Sequence, residues 1–485
     1  MIIRFLFTGF ATILVLLCSS SSGNAQENID QLLSGTETSQ STSTEEAVSG
    51  NPIKLTITKE APSGELQVAQ GDLSLSQAVD AGVKNNFSLR QNEQSWIGSK
   101  FDARAALGKF GPSISFSTFF ASSSIDQMLF YQTNEISPVP MQPIKKGTGL
   151  FPMFAATQPL FTGGRLMGGY RAARARERQS LAEYRASRIA TALRIKQAYW
   201  NAAWGEAKLR VASDYVKFRQ WSSSNMKARV TEGKAPPADY LREQAELSRA
   251  QIAMNDAYRD YNTALLNLKY EMAVNVSSLI GLKDKLGYVD TPGTLNEYLL
   301  QAGRNRPELA QAASKVAEMK AKRLVAVSKY APQINLYGLT SNATGSAPGI
   351  ENTVSGRWGG MVSVIGGVTL FDSGTRLNEL RSARAAVRQA EIGQQETGLK
   401  VARDVSQAWI DLDLARRNVE VAKAQVVSAE EDYRLFHARY LVGKAIALEE
   451  FDAAVRMFQA RLALLESIYK YRLGQAQILW ASGGM

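Results

Sequence analysis

The chain states one plan twice. Each half opens with a helix carrying an Asn and, four residues on, a Leu: Asn85 and Leu89, then Asn305 and Leu309. Each then meets a Pro ahead of alternating residues, Phe110-Gly-Pro112-Ser-Ile114-Ser-Phe116 and Tyr330-Ala-Pro332-Gln-Ile334-Asn-Leu336, 220 positions apart. Past the strands the offset falls to 210 and holds: Leu160-Phe161 meets Leu370-Phe371, and Gly233-Lys234-Ala235 meets Gly443-Lys444-Ala445. A period this long marks a duplicated domain, not a short-repeat solenoid. The pattern predicts a first repeat over 71–280, a linker over 281–294 and a second repeat over 295–482.

Two kinds of periodicity alternate within each repeat. Val401, Val405, Ala408, Leu412, Ala415, Val419, Ala422, Val426, Ala429, Tyr433, Phe436 and Tyr440 follow 4-3 spacing, the period of a left-handed coiled coil. The first half repeats it with lapses, from Ile195 through Ala202, Leu209 and Val216 to Val230. A second apolar stripe, Ile410, Leu414, Val421, Ala424 and Leu435, lies on another face and implies a second neighbour. From Arg376 to Tyr440 no Pro interrupts, so the helix runs on the order of 100 Å before turning back at Gly443. The first half turns at Gly233-Lys-Ala-Pro-Pro237.

The strands, expected at about 112–121, 150–161, 332–341 and 358–371, alternate apolar and polar residues over lengths that suit a membrane β-barrel. Pro152 and Pro159 make 150–161 the poorest match. The stretch from Asp126 to Gly149 reads as a long exterior loop. Four strands cannot close a barrel, and an open edge cannot face lipid, so the chain must oligomerise. Two, three or four copies would all close, and the strand pattern does not choose among them.

The first 25 residues read as a secretory signal: Arg4, an apolar stretch from Phe5 to Leu17, and small residues at Gly23 and Ala25. The rival reading is a lipoprotein with Cys18 lipidated, although Leu17 stands where such signals favour a small residue. Cys18 is the single cysteine, so the mature chain relies on packing rather than disulfides. Residues 26–70 are rich in Ser, Thr, Glu and Gly and read as a disordered leader. The net charge is +11, yet the basic residues are spread along helices and mixed with Glu, which argues against nucleic acid. One denser group, Arg165, Arg171, Arg174, Arg176, Arg178, Arg185 and Arg188, is either a solvated helix face or a contact for lipid phosphates.

From about Leu73 to Gly483 the chain resembles the TolC-like outer-membrane efflux factors. The resemblance rests on the duplicated helix–strand–strand–helical-hairpin plan, on Gln158-Pro-Leu-Phe-Thr-Gly-Gly-Arg165 with Leu370-Phe-Asp-Ser-Gly374, and on Ala438-Arg-Tyr-Leu-Val-Gly443. It implies an α+β membrane protein: a homotrimer whose 12-stranded β-barrel continues as an α-helical coiled-coil barrel. It implies a passive, gated exit duct in the outer membrane, extending into the periplasm. The partners it implies are a periplasmic adaptor, an inner-membrane efflux pump or ABC secretion transporter, and outer-membrane lipid.

By the same resemblance Glu449 and Asp452 match acidic positions of the pore constriction, and Asp239, Tyr440 and Lys444 match gate contacts. Gly233, Lys234, Gly443 and Lys444 become the adaptor-facing hairpin tips. The basic residue that the family carries two positions after the second-turn Gly is replaced by Ala445. Glu449 and Asp452 also read as an acid pair that stabilises a helix N-terminus.

The remaining function classes have little to draw on. His437 is the single His, and no nucleophile elbow, phosphate loop or metal-ligand cluster stands out, so neither enzyme chemistry, a metal nor a cofactor is expected. The alternative to a duct is a coiled-coil structural or adhesin-like envelope protein without a pore, against which the paired strands argue.

Overall fold

The computed structural model describes residues 71–123, 127–133, 137–144, 147–290, 293–341, 344–346 and 359–485. The expected signal peptide and leader lie outside them. In the first half, β1 (Gly71–Leu73), α1 (Leu75–Asn85) and α2 (Phe87–Gly108) precede β2 (Ser113–Ser123), β3 (Gln127–Thr133), β4 (Ser137–Ile144) and β5 (Gly147–Phe161). α3 (Arg165–Thr231) and α4 (Pro237–Glu271) follow as a hairpin. The second half runs β6 (Ile280–Leu282), α5 (Leu295–Asn305), α6 (Pro307–Ser328), β7 (Gln333–Ser341), β8 (Thr344–Ser346), β9 (Gly359–Gly367), α7 (Thr375–Leu441) and α8 (Ala447–Ala481).

Helix lengths match between halves: 11, 22, 67 and 35 residues in each. The starting signals match too. Ser74 and Gln77 form a reciprocal capping box on α1, and Thr294 and Glu297 form the same box on α5, 220 positions on. The strand-to-helix junctions correspond as well, with left-handed φ at Gly163 and Gly164 before α3 and at Ser373 and Gly374 before α7.

β2, β5, β7 and β9 form one antiparallel sheet in that order, and β8 continues the β7 column by pairing with β5. The register puts Ile114, Phe116, Phe154, Leu336, Val362 and Val364 on one face, and Ser113, Ser115, Thr157, Asn335, Tyr337 and Ser363 on the other. On the apolar face Ile114 is 68% exposed and Val362 76% exposed, and Phe116 meets Phe154 at 4.8 Å between ring centroids.

Strand bounds depart from the sequence reading in three places. The segment with two prolines becomes the longest strand, 15 residues, because Pro159 falls where the register against β7 shifts and no ladder N–H is needed. The expected strand at 358–371 leaves the ladder after Gly367. The expected loop from Asp126 to Gly149 contains β3 and β4, paired with each other as a separate ribbon.

The core sits midway along the long helices. One cluster gathers Ala78 and Val79 of α1, Ile195, Tyr199 and Ala202 of α3, and Leu268 of α4. Its counterpart gathers Tyr298 and Ala302 of α5, Val405, Leu412 and Val419 of α7, and Tyr471 and Ile478 of α8. The α7 seam is buried from Val401 to Ala422, then only half-buried from Val426 to Tyr440. The second stripe stays open: Ile410, Leu414, Val421, Ala424 and Leu435 are all exposed.

Residues 281–290 strap the two clusters together. β6 pairs in parallel with β1, and Asp284 accepts a hydrogen bond from the Leu75 N–H at 2.7 Å. Tyr199 donates its hydroxyl to the Leu73 carbonyl at 2.9 Å and accepts from the Asp284 N–H at 3.0 Å. Further along, Arg472 of α8 donates to the Gly287 carbonyl at 2.7 Å.

Candidate functional site at the hairpin tips

Both hairpins turn by the same backbone device. Gly233 has φ +68° and Gly443 φ +73°. The Gly233 N–H bonds the Val230 carbonyl at 3.0 Å, and the Lys234 N–H bonds that of Arg229 at 2.8 Å. Gly443 and Lys444 repeat these bonds onto Tyr440 and Arg439 at 3.0 and 2.8 Å. This is the Schellman arrangement, which consumes the last free carbonyls of a helix. A Cβ on either glycine would meet nothing within 4 Å, so the left-handed φ, not space, selects glycine.

Four helices converge just above these turns. Met226 of α3, Tyr240 of α4, Tyr440 of α7, and Ala447 and Phe451 of α8 pack as one cluster. The Arg229 guanidinium lies 4.6 Å from the Tyr440 ring centre and ties the first hairpin to the second. Beside it opens a cavity of about 310 Å³ lined in part by Trp221, Asn225, Arg229, His437 and Glu450.

The residues singled out in the sequence divide between surface and interior. Glu449 and Asp452 are both exposed and share a face of α8, while Glu450 and Phe451 between them turn inward. Glu449 accepts the Ile446 N–H at 3.2 Å, so it also closes the helix start. Asp239 is half-buried in the first turn of α4. Among the described residues it makes no hydrogen bond to Tyr440 or Lys444. Lys234 is exposed and pairs with Glu232 at 2.7 Å, and hydrogen bonding to Lys234 holds that carboxyl below its usual range. Lys444 is exposed and carries no ion pair among the described residues.

The interior holds two polar pairs that the sequence did not reveal. Arg219 of α3 and Glu243 of α4 are fully excluded from solvent, 3.3 Å apart. Tyr215 accepts from the Arg219 Nε and Nη2 at 2.9 and 2.8 Å, and the rings of Phe218 and Phe451 lie against the guanidinium. Burial pushes the Glu243 carboxyl up, against the opposing pull of Arg219. Lower down, His437 Nδ1 meets buried Glu450 at 2.5 Å, with the His ring stacked on Tyr433. Burial, with Glu450 second, lifts Tyr433 to about 12. The only available hint was 3.6-periodicity placing Arg219 and Glu243 on inward faces, which one sequence cannot separate from solvated charge.

Among the described residues no cluster of His, Cys, Asp and Glu is arranged to hold a metal ion, and no helix is long and apolar enough to cross a membrane.

The family model described as outer membrane efflux protein matches residues 79–270 and 299–484, one block in each half. Outer membrane protein OprJ of Pseudomonas aeruginosa is 24% identical over 306 residues, 62% of each chain. Protein CyaE of Bordetella pertussis is 26% identical over 277 residues, 54% of this chain and 56% of that one. The chain thus spans about three fifths of the length of these curated relatives. Among solved structures, a membrane protein from Pseudomonas aeruginosa superposes with TM-score 0.71 at 20% identity, covering 84% of this chain and 92% of the other. The open state of the Neisseria gonorrhoeae MtrE outer membrane channel gives TM-score 0.69 at 19% identity, covering 84% and 89%. At these identities the likeness establishes the fold.

Proposed function

This chain belongs to the outer membrane efflux protein family, whose model covers both of its halves, and from that membership we propose that it works as a trimeric, gated exit duct. It resides in the outer membrane. The observation that carries the reading is the β2–β5–β7–β9 sheet, with exposed apolar side chains on one face, the Ser, Thr and Asn residues gathered on the other, and both edges open. In lipid every edge N–H and C=O must be paired, so such a sheet requires further copies to close it. Three copies give 12 strands, the number that the resemblance to TolC-like factors implies.

The helical part supports the same assembly. In one chain Ile410, Leu414 and Val421 on α7 are 53%, 56% and 67% exposed. A stripe of this length at helical spacing fits a neighbouring helix. A ring of such helices continues the barrel as a coiled-coil tube toward the pump. In that tube Glu449 and Asp452 face the narrow end as the constriction. Asp239, Tyr440 and Lys444 make the gate contacts, and Gly233, Lys234, Gly443 and Lys444 present the tips to a periplasmic adaptor. The adaptor connects the duct to an inner-membrane efflux pump or ABC secretion transporter, which chooses the cargo. The role is conduction rather than catalysis.

The test is purification from outer-membrane fractions in mild detergent, with mass determination and planar-bilayer recording. Trimers that dissociate only on heating, and that conduct, are expected. Monomers with no conductance would leave the non-pore envelope protein as the better reading.

A further inference from the structure

A basic groove lies between α3 and α6, close to the strands. It measures about 670 Å³ and is lined by Arg171, Arg174 and Arg178 of α3 and by Lys320 and Arg323 of α6, with Tyr170 at its edge. Arg174 pairs with Glu177 at 2.6 Å and Lys320 with Glu391 of α7 at 3.1 Å. Arg171, Arg178 and Arg323 have no acidic partner among the described residues and are exposed. Two acids against five cations leave a surplus that protein groups do not neutralise.

The side on which the groove opens follows from chirality. Ser113 and Ser115 donate their hydroxyls to the Thr157 and Ala155 carbonyls at 3.4 Å each. These polar-face residues therefore form the hydrogen-bonded pairs of the β2–β5 ladder, since in the other pairs the carbonyl points away from the partner strand. For L-residues this fixes the hand of the sheet. With its apolar face toward the observer and the helices below, β7 lies left of β5, and α6 left of α3. α3 packs on α6 through Gly168, whose Cα faces Val325 and Ala321, and through buried Ala175. A right-handed helix running downward from that seam turns positions 171, 174 and 178 toward the observer. The groove opens on the side of the sheet's apolar face, outside the tube.

Its depth suits lipid headgroups. Arg171 lies six residues below the start of α3, and Arg323 five residues from the end of α6. At ~1.5 Å per residue both sit about 8–9 Å from the strand-proximal helix ends. The headgroup band adds roughly 5–7 Å beyond the hydrocarbon, and upward-reaching Arg side chains span the remainder. Phe110 packs edge-on against Tyr170 at 6.4 Å, an aromatic pair at the level where such belts sit.

We propose that the α3–α6 groove binds the phosphate of an anionic phospholipid in the leaflet nearer the helices, with Arg171, Arg178 and Arg323 as its ligands. The outward orientation rests on the membrane reading above. Three such grooves per trimer would fix the height of the duct in the membrane and resist its sliding under load from the pump.

The test uses the full chain in neutral detergent and native mass spectrometry, titrated separately with phosphatidylglycerol, phosphatidylcholine and inorganic phosphate. Wild type is expected to retain phosphatidylglycerol in preference to phosphatidylcholine. The triple variant R171Q, R178Q, R323Q should lose that preference, at roughly fivefold in affinity per charge or on the order of a hundredfold in all. The triple Lys variant R171K, R178K, R323K should keep most of it. Equal retention of both lipids by wild type overturns the proposal whatever the variants do. Displacement of phosphatidylglycerol by inorganic phosphate at equal concentration overturns the lipid assignment in favour of a soluble anion. Conductance recorded on the same preparations separates the two readings. Conducting trimers without lipid preference defeat only the groove, and lipid preference without conductance defeats only the duct.

Discussion

Arg219 and Glu243 face each other at 3.3 Å across the arms of the first hairpin, both fully shielded from water. A pair this deep stabilises little on balance, because each charge has given up its hydration. Losing one partner is another matter. Arg219→Ala strands a buried carboxylate and should cost about 3–5 kcal/mol, while Arg219→Met with Glu243→Leu should recover most of it. Denaturant unfolding of the three proteins measures this. A double variant as unstable as the single one would show that packing around the aromatic layer, not charge, sets the cost.

The same pair sets a pH dependence. Burial raises the Glu243 carboxyl despite Arg219. The folded chain therefore holds this proton where the unfolded chain has released it. Its contribution is full below the ordinary carboxylate range and is lost as pH rises through the elevated folded value. Thermal unfolding of wild type and Glu243→Gln between about pH 4 and 8 should diverge with rising pH, to the disadvantage of wild type. Parallel curves would mean that Glu243 titrates normally.

At the tips, Gly233→Ala and Gly443→Ala should each cost about 1–2 kcal/mol although nothing crowds the added methyl, because left-handed φ is unfavourable for an L side chain. Limited proteolysis near each turn should speed up accordingly. Unchanged cleavage would indicate that the turn readily adopts another geometry.

Glu449→Ala with Asp452→Ala tests the constriction. Three copies would place six carboxylates in a ring, which should favour cations and bind a trivalent blocker. The double variant should lose cation preference in reversal-potential measurements and respond weakly to the blocker. If it assembles and its traces coincide with wild type, the acids act at the helix start, where Glu449 already holds the Ile446 N–H at 3.2 Å.

His437 lies in hydrogen-bond contact with buried Glu450 beneath the aromatic layer. His437→Ala leaves that carboxylate without its ring partner and should destabilise the tip by ~1–3 kcal/mol. Adding Glu450→Gln should restore most of the loss, since the group left behind is then neutral. Chemical unfolding and protease sensitivity report it, and no recovery would place the role of His437 in its stacking on Tyr433.

The duplication, the long seams, the Gly turns and the alternating strands were all legible in the sequence, because each depends on local spacing. A heptad fixes which face of α7 is apolar, and a left-handed turn fixes its glycine, wherever the rest of the chain goes. Pro159 was misleading for a non-local reason: only pairing with β7 reveals the bulge that accommodates it. The strap over 281–290 carries no period and is held by residues distant in sequence, among them Tyr199, Leu75, Arg472 and Gln475.

What the sequence determined by itself is which surfaces must be covered: two apolar stripes on α7 and one face of each strand. Tertiary structure alone decided what the charged residues do, because an Arg on a helix reads the same whether it meets water, Glu243 or a groove. Solvent exclusion at Arg219 and the convergence of Arg171, Arg178 and Arg323 both arise where helices from different parts of the chain pack together. The energy of a charge depends on what surrounds it in space, which its neighbours along the chain do not specify.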